Sequence, residues 1–159
     1  MQKMIRVTGV PLLLSALAGQ AFVQTPTTTS PGPQLKIGYV EAGIDDCGCS
    51  LALNAADLRK DRYVFIHELD EPARINLDGK DLKLEEVDSG GSEAGSEKVG
   101  DRSWVAYVAG DVKVRIDRTV TRVCDPKDES CEVTYYKVIL TVSRKTQRTT
   151  IRTIGLCGC

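Results

Sequence analysis

The tripeptide Cys47-Gly48-Cys49 recurs as Cys157-Gly158-Cys159, the last three residues of the chain. In an extended strand, residues two apart lie on the same face, so each tripeptide presents two sulfur atoms on one side. The glycine between them carries no side chain and lets another backbone come close. We therefore predict that these two CGC segments lie on neighbouring strands and join the beginning of a folded domain to its end.

Three chemistries fit the four cysteines of the CGC segments. Two disulfides between the segments would close a loop on the order of 100 residues, which stabilises a fold by roughly 4–5 kcal/mol. Four thiolates could instead bind one zinc or copper ion, although paired zinc ligands usually lie two to four residues apart. One CGC segment could also exchange with other proteins, as a free dithiol or a strained disulfide. If disulfides form, four cysteines allow three pairings.

Residues 1–21 are typical of a secretory signal peptide, in which Lys3 and Arg6 precede a short apolar stretch over residues 10–18. That stretch is too short to span a membrane as a helix, so we expect no transmembrane span in the mature chain. Residues 22–34 are rich in threonine and proline and are predicted to form a flexible leader. The six cysteines, an even number, then favour disulfides and a periplasmic or secreted protein.

The charges of the chain nearly cancel, since 21 basic and 22 acidic residues give a formal net charge of −1. This balance provides no overall attraction to nucleic acid or to an anionic membrane, and we predict no nucleic-acid partner. Basic residues concentrate over residues 144–152, and the stretch Arg144–Arg148 is predicted to form a solvated hairpin tip. A weak site for anionic envelope polymers is the alternative.

Alternation of apolar and charged residues predicts β-strands, most strictly over residues 112–117, where one face belongs to a core and the other to water. Between Ile75 and Leu84, the pair Asp78-Gly79 separates two alternating arms and predicts a tight hairpin.

The predicted fold class is all-β, an antiparallel barrel or sandwich of about seven to eight strands stabilised by disulfides. We place it in a single domain over residues 35–159. Residues 88–100, rich in glycine, serine and glutamate, are predicted to form a flexible loop.

A third disulfide is predicted between Cys124 and Cys131, which flank a polar loop. If these cysteines lie directly opposite each other, Val114 faces Thr141. A one-residue change of register pairs Val114 with Leu140 and matches apolar residues throughout, but it moves every side chain to the other face. We therefore predict a β-bulge between residues 117 and 123, or its equivalent over 132–137.

An export signal followed by CGCS at Cys47–Ser50, the sequence INLDGKDLKL at Ile75–Leu84 and a β-rich tail resemble small exported bacterial proteins of uncharacterised function. The size and the number of strands are also similar to envelope β-barrels that inhibit lysozyme. The inhibitory motif of that family has no counterpart on residues of this chain, so no site is carried over from it.

The inventory of catalytic residues is poor and favours a non-enzymatic protein. His67 is the only histidine, and its apolar strand is typical of a core or edge residue rather than a general base. The sequence contains no GxSxG, HExxH, P-loop or dinucleotide-binding motif. The acidic clusters Asp45-Asp46 and 125–129 are predicted to be solvated rather than calcium-binding, and the latter lacks the spacing and glycine of a calcium loop.

Three functions follow as hypotheses. The first is an envelope protein that acts as a non-enzymatic binding or structural module, without a cofactor and with an unknown envelope or extracellular partner. The alternative is a thiol-based redox or soft-metal-binding protein that uses Cys47, Cys49, Cys157 and Cys159. A second alternative is an inhibitor of an envelope-directed enzyme, acting through residues 88–100 or 125–130.

Overall fold

The computed structural model of the protein describes residues 34–41, 43, 47–92, 97–125, 127–128 and 131–159. The predicted signal peptide and the leader up to residue 33 lie outside the described residues. So do Asp45-Asp46 and parts of the two loops that an inhibitor would use.

Strands make up 62% of the described chain. These are β1 (Ile37–Gly38), β2 (Gly48–Ala52), β3 (Phe65–Glu68), β4 (Ala73–Leu77), β5 (Lys80–Gly91), β6 (Arg102–Ala109), β7 (Val112–Arg122), β8 (Val133–Arg144) and β9 (Gln147–Gly158), with one short helix, α1 (Ala55–Leu58). Within the ranges given above, no helix is long and apolar enough to cross a membrane.

Strands β2 to β9 form a closed antiparallel barrel. The sheet runs β4-β3-β2-β9-β8-β7-β6-β5 and closes because β5 pairs again with β4. Strand β1 continues the edge of β4 beyond the end of β3, since Ile37 pairs with Leu77 while Phe65 pairs with Ile75. The predicted fold class is confirmed, and of the two architectures allowed by the sequence the protein has the eight-stranded barrel.

Alternate residues of each strand fill the barrel. On β7, Val112, Val114 and Ile116 are buried, whereas Lys113 and Arg115 between them are exposed. This confirms the alternation predicted for this strand, because successive side chains of a strand point to opposite faces. A smaller apolar cluster lies outside the barrel, where residues of β2 and β3 pack against the segment that contains α1.

The predicted hairpin at Asp78-Gly79 is confirmed. Both residues have positive φ, 55° and 82°, and Leu77 pairs with Lys80 across a two-residue turn. The carboxylate of Asp78 accepts hydrogen bonds from the backbone N–H of Lys36 at 3.0 Å and from Arg144 at 2.6 Å. These two bonds hold the pKa of Asp78 below its usual value, and they join the hairpin tip to the residue before β1 and to the end of β8.

The predicted β-bulge is confirmed, since the register of β7 and β8 shifts between Val120 and Arg122. The predicted partners are wrong by two residues, because Val114 pairs with Val142 rather than with Leu140. A shift of two residues leaves the same side chains facing the core. The apolar pattern therefore identifies which face is inside but cannot choose between these two registers.

The predicted loop over residues 88–100 begins later than expected. Strand β5 continues through Gly91 and pairs with β6 as far as Ser103, after a bulge between Glu86 and Asp88. Residues 88–91 are therefore strand. Composition alone marked them as loop because glycine and serine are poor strand formers, whereas here the backbone of β6 supplies their partners.

The two CGC segments lie side by side on β2 and β9, and they are joined by two nested disulfides. These bonds are Cys47–Cys159 and Cys49–Cys157, with sequence separations of 112 and 108, while the local bond Cys124–Cys131 spans 7. All six cysteines of the chain are bonded.

The glycines of the CGC segments allow neighbouring backbone to approach. A Cβ on Gly48 would lie 2.8 Å from the Cα of Glu68 on β3 and would also collide with the carbonyl oxygen of His67. A Cβ on Gly158 would lie 2.9 Å from the Cα of Val133 on β8. Only glycine fits in these positions, as the sequence predicted.

Candidate binding site in the barrel mouth

The interior of the barrel becomes polar toward the end that holds the CGC disulfides. On β7 the inward-facing series passes from Ile116 to Arg118, and on β6 it passes from Val105 to Ser103. A cavity of about 350 Å³ opens there. We call this cavity the barrel mouth and define it by six of its lining residues, which are Cys49, His67, Glu86, Tyr107, Arg118 and Cys157.

His67 and Tyr107 form a pair across the barrel mouth. The His67 Nδ1 and the Tyr107 hydroxyl oxygen are 3.0 Å apart and share a hydrogen bond, and the two rings meet edge to face with centroids 5.5 Å apart. Burial lowers the pKa of His67, an effect that the charge of Glu86 opposes and that of Arg118 reinforces. Burial also raises the pKa of Tyr107 above its ordinary value. Both side chains are therefore neutral at pH 7.

Arg118 brings a positive charge into the barrel mouth. Its inward position follows from β7, where it continues the buried series Val112, Val114 and Ile116. Among the described residues, no carboxylate lies within the 4.0 Å of an ion pair with Arg118. Its Nε atom is buried and has no hydrogen-bond partner there. A buried donor without a partner is costly. This guanidinium can therefore donate hydrogen bonds to the anionic group of a ligand.

The same guanidinium lies against the inner CGC disulfide. The Arg118 Nη1 is 3.8 Å from the Sγ of Cys49 and 3.6 Å from the Sγ of Cys157. Because both sulfurs are bonded, neither is a thiolate, and zinc or copper binding by the CGC segments would first require reduction of both bonds. In the part of the chain that the structure describes, no group of three or more His, Cys, Asp or Glu residues is arranged to hold a metal ion.

Two cysteines of the barrel mouth, Cys49 and Cys157, are predictable from the sequence, whereas Arg118, Tyr107 and Glu86 were not predicted. The signal for Arg118 was present, because a charged residue continues the even-numbered apolar positions of β7. Glu86 and Tyr107 are paired across β5 and β6, a register that the bulge in β5 obscures. His67 lies on an apolar strand, as predicted. Its side chain lines the barrel mouth, whereas the sequence predicted a core or edge residue.

The predicted disulfide of Cys124 and Cys131 lies apart from the barrel mouth. The Cys124 Sγ lies 3.1 Å from the backbone nitrogen of Val133 and so contacts the start of β8. This bond therefore shapes the β7–β8 connection and adds no group to the cavity. Comparisons with known proteins add no assignment, since no family model, no curated protein and no solved structure matches the chain.

Proposed function

We propose that the protein is an exported, non-enzymatic binding module whose barrel mouth holds the anionic group of a small ligand against Arg118. The observation that carries the proposal is the inward-facing guanidinium without a carboxylate partner among the described residues. The three disulfides support an oxidising location, which exported proteins share.

The lining of the barrel mouth favours a carboxylate or a similar small anion. Arginine presents a planar fork of N–H donors that matches two oxygens of one anionic group. His67 and Tyr107 are neutral at pH 7 and add polar contacts without competing for the charge. The cavity of about 350 Å³ lies at the lower end of the range for small-molecule sites, roughly 300–1,000 Å³, and the mouths of β-barrels often hold such sites.

Titration with a series of straight-chain monocarboxylates from acetate to octanoate tests this function. The imidazole signals of His67 in a proton NMR spectrum are a unique probe, because the chain has a single histidine. We expect a saturable shift for at least one carboxylate. Arg118→Gln should weaken that binding about tenfold or more, because a charge-assisted hydrogen bond is worth roughly 1.5–3 kcal/mol.

Arg122→Gln is the matched control. Arg122 lies on the same strand but on the outer face, with its guanidinium carbon 3.7 Å from the ring centre of Tyr135. Its replacement removes the same charge without touching the barrel mouth, and should leave carboxylate binding within about twofold of the parent. Equal weakening by both substitutions, or the absence of a saturable shift with every carboxylate, would contradict the proposal.

Thiol exchange at Cys49–Cys157 is a second candidate function, favoured by the contact of Arg118 with both sulfurs. A thiolate of an external dithiol would attack one sulfur, and the electron pair of the broken bond would leave on the other as a thiolate beside the guanidinium. The second thiol of the dithiol would then release the mixed disulfide. Two electrons pass to the protein, and the external dithiol becomes a disulfide.

The contribution of Arg118 to this exchange is measurable in a chain with a single CGC bond. In the double variant Cys47→Ser/Cys159→Ser, dithiothreitol should open Cys49–Cys157 several-fold faster than in the same chain with Arg118→Gln, because a nearby cation stabilises the leaving thiolate. Alkylation and mass spectrometry at successive times give the rates. Arg118→Lys keeps the charge and should restore the rate, whereas the same rate in all three chains would exclude this role.

A further inference from the structure

The outer face of strands β6 to β9 is strongly basic. Because side chains alternate, the residues between the inward-facing positions of these strands point away from the barrel. Seven of these outward residues are cations and one, Asp117, is a carboxylate. The cations are Arg102, Lys113, Arg115, Arg122, Lys137, Arg148 and Arg152. The near-neutral net charge of −1 therefore conceals a one-sided distribution.

Most of these cations have no carboxylate to balance them. Arg115 is paired with Asp117 at 2.9 Å, and none of the other six forms an ion pair within the described chain. The outward-facing carboxylates of the barrel strands lie mainly on β5, next to β6, which carries Asp81, Glu85 and Asp88. The basic face thus retains its positive potential, and a focused potential of one sign attracts oppositely charged partners.

A depression of about 590 Å³ lies in the middle of this face. Three outward-facing cations without an ion pair among the described residues line it, together with Arg118 from the barrel mouth and with Trp104 and Ile139. The cations are Arg102, Lys137 and Arg152. Register places Trp104, Asp117, Ile139 and Arg152 in one row across four strands. We call these residues and the three cations the outer groove.

The composition of the outer groove favours a glycan over other polyanions. Thr119 lies between two of these cations in the register, since it pairs with Arg102 on β6 and with Lys137 on β8, and it lines the depression. Its hydroxyl can hydrogen-bond to sugar hydroxyls. Single-stranded nucleic acid needs a series of free aromatic rings, but Arg115 lies 4.2 Å from the ring centre of Trp104 and Arg122 covers Tyr135.

We infer that the outer groove binds a linear acidic polysaccharide, with carboxylate groups along the chain contacting Arg102, Lys137 and Arg152. Neighbouring strands are about 4.8 Å apart, so cations on adjacent or alternate strands lie roughly 5 and 10 Å apart across the sheet. This spacing lets one extended polymer contact several of them. Ser103, Trp104 and Arg118 line both the depression and the barrel mouth, whereas Arg102, Lys137 and Arg152 line the depression and not the barrel mouth. Replacement of these three cations therefore tests the inference separately from the proposed function of Arg118.

Titration with polygalacturonate, followed by the fluorescence of Trp104, tests the inference. Trp104 is the only tryptophan of the chain and lines the groove. We expect saturable binding that weakens about tenfold or more between 50 and 300 mM salt, since screening reduces contacts between exposed charges. Neutral dextran should not bind. The triple variant Arg102→Gln/Lys137→Gln/Arg152→Gln should weaken binding at least tenfold at low salt.

A matched control removes the same charge elsewhere. Arg59, Lys60 and Lys83 are exposed and belong to none of the strands β6 to β9. Their replacement by glutamine should leave binding within about threefold of the parent. Calorimetric titration of the same variants measures binding directly and so shows whether each fluorescence change reflects binding. Equal loss in both triple variants would show that net charge alone acts. Tighter binding of duplex DNA or of phosphatidylglycerol vesicles at equal charge concentration would assign the face to another class of polyanion and overturn the inference.

Discussion

Replacing all four cysteines of the CGC segments by serine is expected to lower the free energy of unfolding by about 7 kcal/mol, far more than twice the effect of removing either bond alone. The bonds close loops of 112 and 108 residues, each worth roughly 5 kcal/mol in the chain-entropy model if it were the only one. Once one bond is in place, the other closes a ring of only about six residues, worth about 2 kcal/mol. Cys47→Ser/Cys159→Ser and Cys49→Ser/Cys157→Ser should therefore each cost about 2 kcal/mol.

Urea denaturation of the three variants and the parent measures this coupling. Cys124→Ser/Cys131→Ser is the control, since its bond closes a loop of 7 residues and should also cost about 2 kcal/mol. A small domain has only about 5–15 kcal/mol of stability, so the four-serine chain should be marginal or unfolded. Simple additivity of the two CGC pairs, with a total near 4 kcal/mol, would contradict the nested arrangement.

Leu140→Ala should destabilise the protein by about 2–5 kcal/mol, whereas Ile139→Ala should cost less than about 1 kcal/mol. The two residues are neighbours on β8, but Leu140 is fully buried in the barrel and Ile139 is 46% exposed on the outer face. Truncation of Leu140 leaves a cavity among residues that cannot collapse, while truncation of Ile139 removes contacts with water and little else.

Thermal and urea unfolding of these two alanine variants test which face of β8 points into the barrel, and they need no binding assay. Both substitutions remove an aliphatic side chain of the same size class from adjacent positions of one strand, so their strand propensities change by similar amounts. A larger loss for Ile139→Ala than for Leu140→Ala would mean that the inner and outer faces of β8 are exchanged. The candidate site and the outer groove would both be wrong in that case.

Local patterns in the sequence predicted most of the fold. The alternation over residues 112–117 identifies the inner face of β7, and Asp78-Gly79 locates a hairpin, because both signals depend on neighbours along the chain. Exact register is not local. Val114 could face Leu140 or Val142 with the same side chains inside, and the closure of the whole barrel selects Val142.

The candidate site was harder to predict than the fold, because its groups come from six strands. Only Cys49 and Cys157 were recognisable, through their repeated tripeptide. Glu86 and Tyr107 meet because of a bulge in β5, and bulges arise where tertiary pairing overrides a regular ladder. Arg118 could have been found by extending the alternation of β7 by one more step. The outer groove depends on β6, β7, β8 and β9 being neighbours in the sheet. Their order along the chain suggests this arrangement but does not establish it.

The nested disulfides also limit the effect of proteolytic cleavage. One cut in the chain anywhere between Ser50 and Leu156 would leave two pieces that remain tied through Cys47–Cys159 and Cys49–Cys157. The chain between the CGC segments forms a covalent ring, which the two disulfides close at the start of β2 and the end of β9. A nicked molecule would therefore gain only the mass of one water and would keep its strand pairing until the bonds were reduced, so cleavage in an exposed loop would not by itself release a fragment.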